Sequence, residues 1–349
     1  MSNNHLIIMA GGIGSRFWPI STKECPKQFI DILGCGKSLL QETVERFKNI
    51  CPAENVWIVT SDKYAEITKE QLPDIPETNI LLEPCRRNTA PCIAYAAWRI
   101  LKQNPDANII VTPSDHNVSD KEDFRRVISE ALEFIKDKDA ILTIGIKPTR
   151  PDTGYGYIEA KKSDGSTCIN RVESFKEKPD LETAKEYILK DNFFWNSGVF
   201  IWNVQTITNA IKRYEPKIGE IFEHATPALG TPKEQDVINE CFPQCRNISI
   251  DYAVLERATN VYVIPGDFGW SDLGTWDSLY NYLEHDENKN VSVDSKTTID
   301  KSTNCIIHAR SEKEIIIIGI DNCIIAEYGG KLLVCKKELE QSIKRFTEQ

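Results

Sequence analysis

The chain has 349 residues, about two domains' worth at roughly 150 residues each, so it can bury a large core without disulfide staples. Charged residues make up 27% and hydrophobic ones 41%, and no apolar run nears the roughly 18 residues that span a bilayer, which excludes a membrane-spanning helix. Lys and Arg total 42 against 52 Asp and Glu, a net charge of −10 that excludes broad binding to nucleic-acid phosphates, so any anion site has to be local.

Met1 to His5 runs straight into Leu6 to Ala10 without a basic stretch or a long apolar segment, so no secretory signal is expected and the reading is cytoplasmic. The 11 cysteines are odd in number and contain no CxxC pair, which favours reduced, structural thiols and gives no indication of zinc.

In chain order, Leu6–Ala10, Val56–Thr60, Ile80–Leu82, Ile109–Thr112 and Ile141–Gly145 read as strands, and Ser38–Phe47 and Lys121–Ile135 read as helices. In the second of these helices Phe124, Val127, Ile128, Ala131, Leu132 and Ile135 share one face. Strands alternating with helices predict a doubly wound α/β sheet, whose ligands bind beyond the carboxyl ends of its strands. From Gly154 to Tyr282 the pattern changes to hairpin-like strands at Tyr155–Glu159, Ile169–Phe175, Val199–Trp202 and Val261–Ile264, with helices between them. After His285 come the short apolar runs Cys305–His308, Ile315–Ile318, Cys323–Ala326 and Leu332–Cys335, then a helix over Lys337–Phe346. The expected domains are therefore 1–284 and a small β-rich 285–349.

The first strand ends in Ala10-Gly11-Gly12-Ile13-Gly14-Ser15-Arg16. Glycines after a strand offer bare amide N–H groups to a phosphate chain, and Arg16 adds a planar cation; an ordinary tight turn is the alternative. No helix can follow directly, because Pro19 would break it, so this is not a dinucleotide fingerprint; the Walker pattern is absent too. Lys27, in Pro26-Lys27-Gln28-Phe29, is either a solvated surface charge or a second cation on the same phosphates.

The segment Met9–Pro19 with Pro26–Phe29 closely resembles the signature of the sugar-1-phosphate nucleotidyltransferase family, and within it the mannose-1-phosphate guanylyltransferases, also called GDP-mannose pyrophosphorylases. The resemblance continues through Glu83-Pro84, Arg87–Pro91, Pro113–His116, Gly154–Ile158, Phe175–Pro179, Trp195–Gly198 and Gly269–Gly274, about the first 280 residues. It implies a Rossmann-like nucleotide-diphospho-sugar transferase domain with a mixed central sheet, followed by a β-helix-like tail of a kind that commonly mediates dimer contacts.

The resemblance also implies roles. Asp115 and Asp272 are expected to hold Mg²⁺, although alone Asp115 reads as a turn residue and Asp272 as the N-cap of a helix beginning near Leu273. Arg16, Lys27, Asp115 and Asp272 form the expected catalytic set. Ala10, Gly11, Gly12, Gly14, Ser15, Arg16, Glu83, Asn88 and Thr89 would take the nucleotide, and Gly156, Glu177, Lys178 and Asn196 the sugar phosphate.

Guanine presents N–H donors, for which a carboxylate is the natural partner, so Glu83 either reads the base or pairs with Arg86 or Arg87. Glu177 and Lys178 read otherwise as a solvated pair, and Asn196 as an amide in a small-residue turn. Trp195, Trp202, Trp270 and Trp276 read as core or pocket wall.

The implied reaction is GMP transfer from GTP to α-D-mannose 1-phosphate, giving GDP-mannose and pyrophosphate without a covalent intermediate. The alternatives are another hexose 1-phosphate or nucleotide, or an inactive nucleotide-sugar-binding regulator. About 65 residues follow His285, too few for the isomerase domain that longer relatives append, so a single activity is expected.

Overall fold

The computed structural model describes residues 3–12, 17–161, 168–293, 296–309 and 314–347. Its strands are β1 (Asn4–Met9), β2 (Val56–Ser61), β3 (Ile80–Glu83), β4 (Asn108–Pro113), β5 (Asn117–Val118), β6 (Ile141–Ile146), β7 (Tyr157–Ala160), β8 (Asn170–Lys176), β9 (Phe193–Asn203), β10 (Val261–Gly266) and β11 (Trp270–Ser271). Six more, β12 (Val291–Val293), β13 (Lys296–Asp300), β14 (Ile306–Ala309), β15 (Glu314–Ile318), β16 (Cys323–Tyr328) and β17 (Lys331–Lys336), complete the described chain. Its helices are α1 (Leu39–Arg46), α2 (Ala65–Gln71), α3 (Thr89–Gln103), α4 (Lys121–Ile135), α5 (Leu181–Ile188), α6 (Val204–Tyr214), α7 (Pro216–Ala225), α8 (Glu234–Cys241), α9 (Trp276–Tyr282) and α10 (Lys344–Thr347).

The chain divides into two compact units, the first formed by 1–11, 44–113 and 118–270, the second by 12–43, 114–117 and 271–349. The first unit is built on a nine-stranded mixed sheet in the order β3-β2-β1-β4-β9-β6-β10-β8-β7. Its parallel core, β3-β2-β1-β4, comes from the β-branched runs read in the sequence, and β1 is buried on both faces, as parallel strands covered by helices must be. Strand β9 runs antiparallel between β4 and β6, which makes the sheet mixed. Helix α4 spans the predicted residues, with the Asp120 carboxylate accepting from the Glu122 and Asp123 N–H groups.

The second unit begins inside the glycine loop. Phe17, Ile20, Ile30, Ile32 and Leu39 share a core there with Leu273, Trp276, Leu279, Val291, Ile306 and Ile324. Strands β12, β14 and β16 are parallel, so that Val291, Ile306 and Ile324 stack in register, while β13 and β15 pair in parallel in a separate two-stranded sheet. Successive strands alternating between two parallel ladders give the expected β-helix-like, β-rich C-terminal region. The predicted terminal helix is instead 3₁₀ over Lys337–Ile343, with α10 after it.

All eleven cysteines are free thiols. Among the described residues no helix is long and apolar enough to cross a membrane.

Candidate functional site

The glycine loop leaves β1 with Ala10 fastened at both backbone groups, its N–H donating to Val59 O at 2.8 Å and its carbonyl accepting from the Thr60 hydroxyl at 3.0 Å. A Cβ added at Gly11 would stand 3.4 Å from Glu83 Oε2, which places the loop's first glycine next to that carboxyl. Ile13, Gly14, Ser15 and Arg16 lie outside the described residues, and with them three of the expected nucleotide contacts.

Glu83 ends β3, is buried, and its Oε1 has no hydrogen-bond partner among the described residues. Burial pushes its carboxyl up to about 7, against the opposing hydrogen bond from the Cys92 thiol and the charge of Arg86. No ion pair joins it to Arg86 or Arg87 among the described residues; the Arg87 guanidinium donates instead to Pro243 O, at 2.6 Å from Nη2. Of the two sequence readings, the arginine pair is therefore not formed.

Asn88 caps α3 in the left-handed region (φ 67°), its side chain accepting from Thr89 N–H. The Thr89 hydroxyl accepts from Ile250 N–H at 2.8 Å. Both side chains thus hold the helix start and its neighbour in place.

The sugar-phosphate candidates come together in the first unit. Asn196 does not lie in a turn: it falls inside the eleven-residue strand β9, where the register against β6 slips between Thr143 and Gly145. The small residues that read as a turn are a β-bulge, with Gly198 at φ 74°, and Ser197 Oγ donates to Ile144 O at 2.8 Å. Asn196 N–H donates to Gly156 O at 2.8 Å. A Cβ on Gly156 would meet Glu177 Oε2 at 2.5 Å, so glycine lets that carboxylate stand where it does. Lys178, in the left-handed region at φ 48°, reaches back to Glu177 Oε1 at 2.8 Å.

Sequence reasoning missed Asp251, whose Oδ1 accepts from Asn196 Nδ2 at 3.1 Å. Burial and then the like charge of Glu177 push its carboxyl up to about 6. Nothing local in the sequence marks it, because its partner Asn196 lies 55 residues away.

Around Tyr155 an aromatic wall forms, its ring 5.1 Å from Trp195 and 5.3 Å from Trp270, with the Arg150 guanidinium 5.2 Å over Trp195. Trp202 and Trp276 are fully buried core residues.

In the second unit Lys27 is buried and spends its ammonium on three oxygens: Asp115 Oδ2 at 2.9 Å, Asp272 O at 2.8 Å and Leu273 O at 3.0 Å. It is therefore not a solvated surface charge. Burial would raise the Asp115 carboxyl, but the Lys27 ammonium, followed by His116, outweighs it and holds the group below the usual carboxylate range. Gln28 Nε2 donates to Gly12 O at 2.9 Å, tying the same segment to the glycine loop.

Asp272 is not a helix cap. Its Oδ1 accepts from Gly274 N–H at 3.0 Å, Leu273 takes φ 43°, and Thr275 caps α9 through a reciprocal box with Ser278. Lys27 thus joins one acid's side chain to the other acid's backbone. The Asp115 and Asp272 carboxylates are hard oxygen donors of the kind Mg²⁺ takes before completing its shell with water and phosphate, with the His116 imidazole 3.9 Å from Asp115 Oδ1.

A cleft of about 1670 Å³ opens in the first unit at the amino ends of β1 and β4, lined among others by Asn4, Asn108, Asn203 and Gln205. None of the candidate residues lines it, and Asn203 and Gln205 spend their amides on the Ile135 and Pro105 carbonyls.

The nucleotidyl transferase family model matches residues 5–289. A mannose-1-phosphate guanylyltransferase of Salmonella muenchen is 36% identical over 348 residues, which cover 98% of this chain and 72% of that protein. The alginate biosynthesis protein AlgA of Pseudomonas putida is 34% identical, over 98% of this chain and 70% of its own length. A crystal structure from Thermus thermophilus, described as a mannose-1-phosphate geranyltransferase, matches with a TM-score of 0.89 at 29% identity, covering 99% of each chain. Matched by the family model over most of its length and by these relatives almost end to end, the chain is an enzyme of the nucleotidyl transferase family.

Proposed function

We propose that the chain transfers GMP from GTP to α-D-mannose 1-phosphate, producing GDP-mannose and pyrophosphate. The observation that carries this reading is the Lys27 tie, which brings the Asp115 carboxylate to the backbone of Asp272, a residue from a distant part of the chain. The Salmonella muenchen relative supports the choice of sugar and base.

A phosphate monoester has its second pKa near about 6, so at neutral pH the attacking oxygen of the sugar phosphate is already ionised and needs no general base. The reaction is then an in-line displacement at the α-phosphorus, and the obstacle is repulsion between two polyanions. Asp115 and Asp272 would hold Mg²⁺, which supplies charge neutralisation on the phosphates when bound. Lys27 fixes Asp115 and the 272–273 backbone, so the acids meet the substrate without rearranging. In the first unit, Glu83 accepts the guanine N–H donors, Ala10 and Gly11 give the phosphates close approach to backbone, and Asn88 and Thr89 hold the neighbouring helix start. Glu177 and Asn196 take sugar hydroxyls, and Lys178 the sugar phosphate.

The tail is assigned to self-association, supported by the exposed Ile316, Ile318, Leu332 and Val334 on β15 and β17. The activity is tested by pyrophosphate release from GTP with and without mannose 1-phosphate, against the other three nucleotides and several hexose 1-phosphates. Release that requires both GTP and mannose 1-phosphate supports the reading; preference for UTP or dTTP removes Glu83 as the guanine reader.

A further inference from the structure

Asp251 is a carboxyl the proposed reaction does not use. It opens the single π-helical turn Asp251–Leu255, whose Ala253, Val254 and Leu255 are buried in the main core of the first unit, so the acid stands on fixed backbone. Its Oδ1 accepts from Asn196 Nδ2 at 3.1 Å, while Asn196 Oδ1 accepts from Gly198 N–H at 3.1 Å and from the Thr143 hydroxyl at 3.3 Å. With donors on its oxygen and an acceptor on its nitrogen, the amide has one orientation, and a single N–H is left over for a ligand. Gly156 places Glu177 beside that amide: a Cβ there would lie 2.5 Å from Glu177 Oε2 and 3.5 Å from Asn196 Cβ.

Lys178 meets Glu177 at Oε1, so Oε2, the oxygen turned toward Gly156, is the one placed to accept from a ligand. Hexose hydroxyls both donate and accept, so a fixed N–H beside a carboxylate selects for the placement of neighbouring hydroxyls. We propose that Asp251 is a positioning residue for sugar selection, locking the Asn196 amide so that its free N–H and the Glu177 carboxylate present a fixed donor and acceptor to the hexose. The inference rests on the reading of Gly156, Glu177, Lys178 and Asn196 as the sugar-phosphate set.

The test compares kcat/KM for mannose 1-phosphate and glucose 1-phosphate, with the KM for GTP as internal control, in the wild type, Asp251→Asn, Asp251→Ala, Asn196→Ala and the double variant Asn196→Ala/Asp251→Ala. Asp251→Ala is expected to raise the KM for the preferred sugar phosphate about 10-fold and to narrow discrimination between the two sugars, with the GTP KM within about twofold of wild type. Asp251→Asn, whose amide oxygen still accepts from Asn196, is expected to stay within about threefold of wild type, which separates positioning from a failure to fold. The double variant is expected to be no worse than Asn196→Ala alone, because one acts through the other.

Additive losses, an equal loss for both sugars and GTP, or wild-type discrimination in Asp251→Ala would overturn the proposal. A wild type that prefers another hexose 1-phosphate defeats the functional reading, while the same ratios, measured on that hexose, still decide the role of Asp251. A wild type that uses no hexose 1-phosphate overturns both.

Discussion

Lys27 Nζ stands 2.9 Å from Asp115 Oδ2 and donates as well to the Asp272 and Leu273 carbonyls, so three donors meet three acceptors in a buried setting. The ammonium is thus a three-way fastener, and its loss leaves a carboxylate and two carbonyls with no donor from it. Lys27→Met is expected to lower turnover about 100-fold or more, as removal of a preorganised charge does. It should also destabilise the fold by about 1–3 kcal/mol for each group left unsatisfied. Lys27→Arg is not expected to rescue, since a planar fork cannot reach three acceptors arranged around a point. Steady-state kinetics alongside urea denaturation check both effects; near-wild-type turnover in Lys27→Met would contradict the role.

Glu83 supplies a pH prediction. Its carboxyl titrates at about 7, and only the ionised form accepts from two guanine donors, so the KM for GTP should fall as pH rises from 6 to 8. Glu83→Gln should flatten that profile and weaken GTP about 10–100-fold. KM measured across this range decides it, and an unchanged profile in the variant would remove Glu83 from base recognition.

His5 makes a prediction about stability. It is buried, accepts from Trp57 Nε1 at Nδ1 over 3.1 Å, and burial pushes its pKa down to about 4 from 6.5. Between those values the unfolded chain binds a proton that the folded chain does not, so stability rises with pH through this window and is lost as pH falls from 6.5 toward 4. Acidification from neutral pH to below this window therefore costs the fold on the order of 3 kcal/mol through His5. Urea midpoints measured from pH 4 to 7 in the wild type and in His5→Leu should diverge, with the variant much the flatter.

Gly156→Ala tests the sugar half by sterics alone. The added Cβ would fall 2.5 Å from Glu177 Oε2, so the carboxylate has to move while Gly156 keeps an ordinary backbone. The KM for the sugar phosphate is expected to rise about 10-fold or more with the melting temperature little changed, since the far end of a flexible side chain yields without moving the core. Kinetics and melting curves on the same preparation check this; a large drop in melting temperature with an unaltered KM would show that Gly156 serves packing instead.

Strands β1 to β4 are legible in the sequence within about two residues because parallel strands buried on both faces are written as nearly continuous apolar runs. Helix α4 is legible because one apolar stripe and an Asp cap agree. Asn196 reads as a turn residue because Asn-Ser-Gly carries turn chemistry, and only the partner strand reveals that the same residues form a bulge. Asp272 reads as a helix start that belongs to Thr275, three residues on, because an acid before an apolar residue carries the same local signal as a true cap. Asp251 has no readable sign of its role: its partner Asn196 is 55 residues away, and hydrogen bonds at that range leave no periodicity. The buried state of Lys27 is equally hidden, since it depends on carbonyls more than two hundred residues downstream.

GMP transfer that depends on Asp115 and Asp272 is read out by pyrophosphate release from GTP and mannose 1-phosphate, for the wild type and for the double variant Asp115→Asn/Asp272→Asn, at increasing Mg²⁺. The wild type is expected to show Mg²⁺-dependent release that vanishes when either substrate is withheld, and the double variant none although its circular dichroism is unchanged. Release by a correctly folded double variant at the wild-type rate, or a wild type indifferent to mannose 1-phosphate, would contradict it.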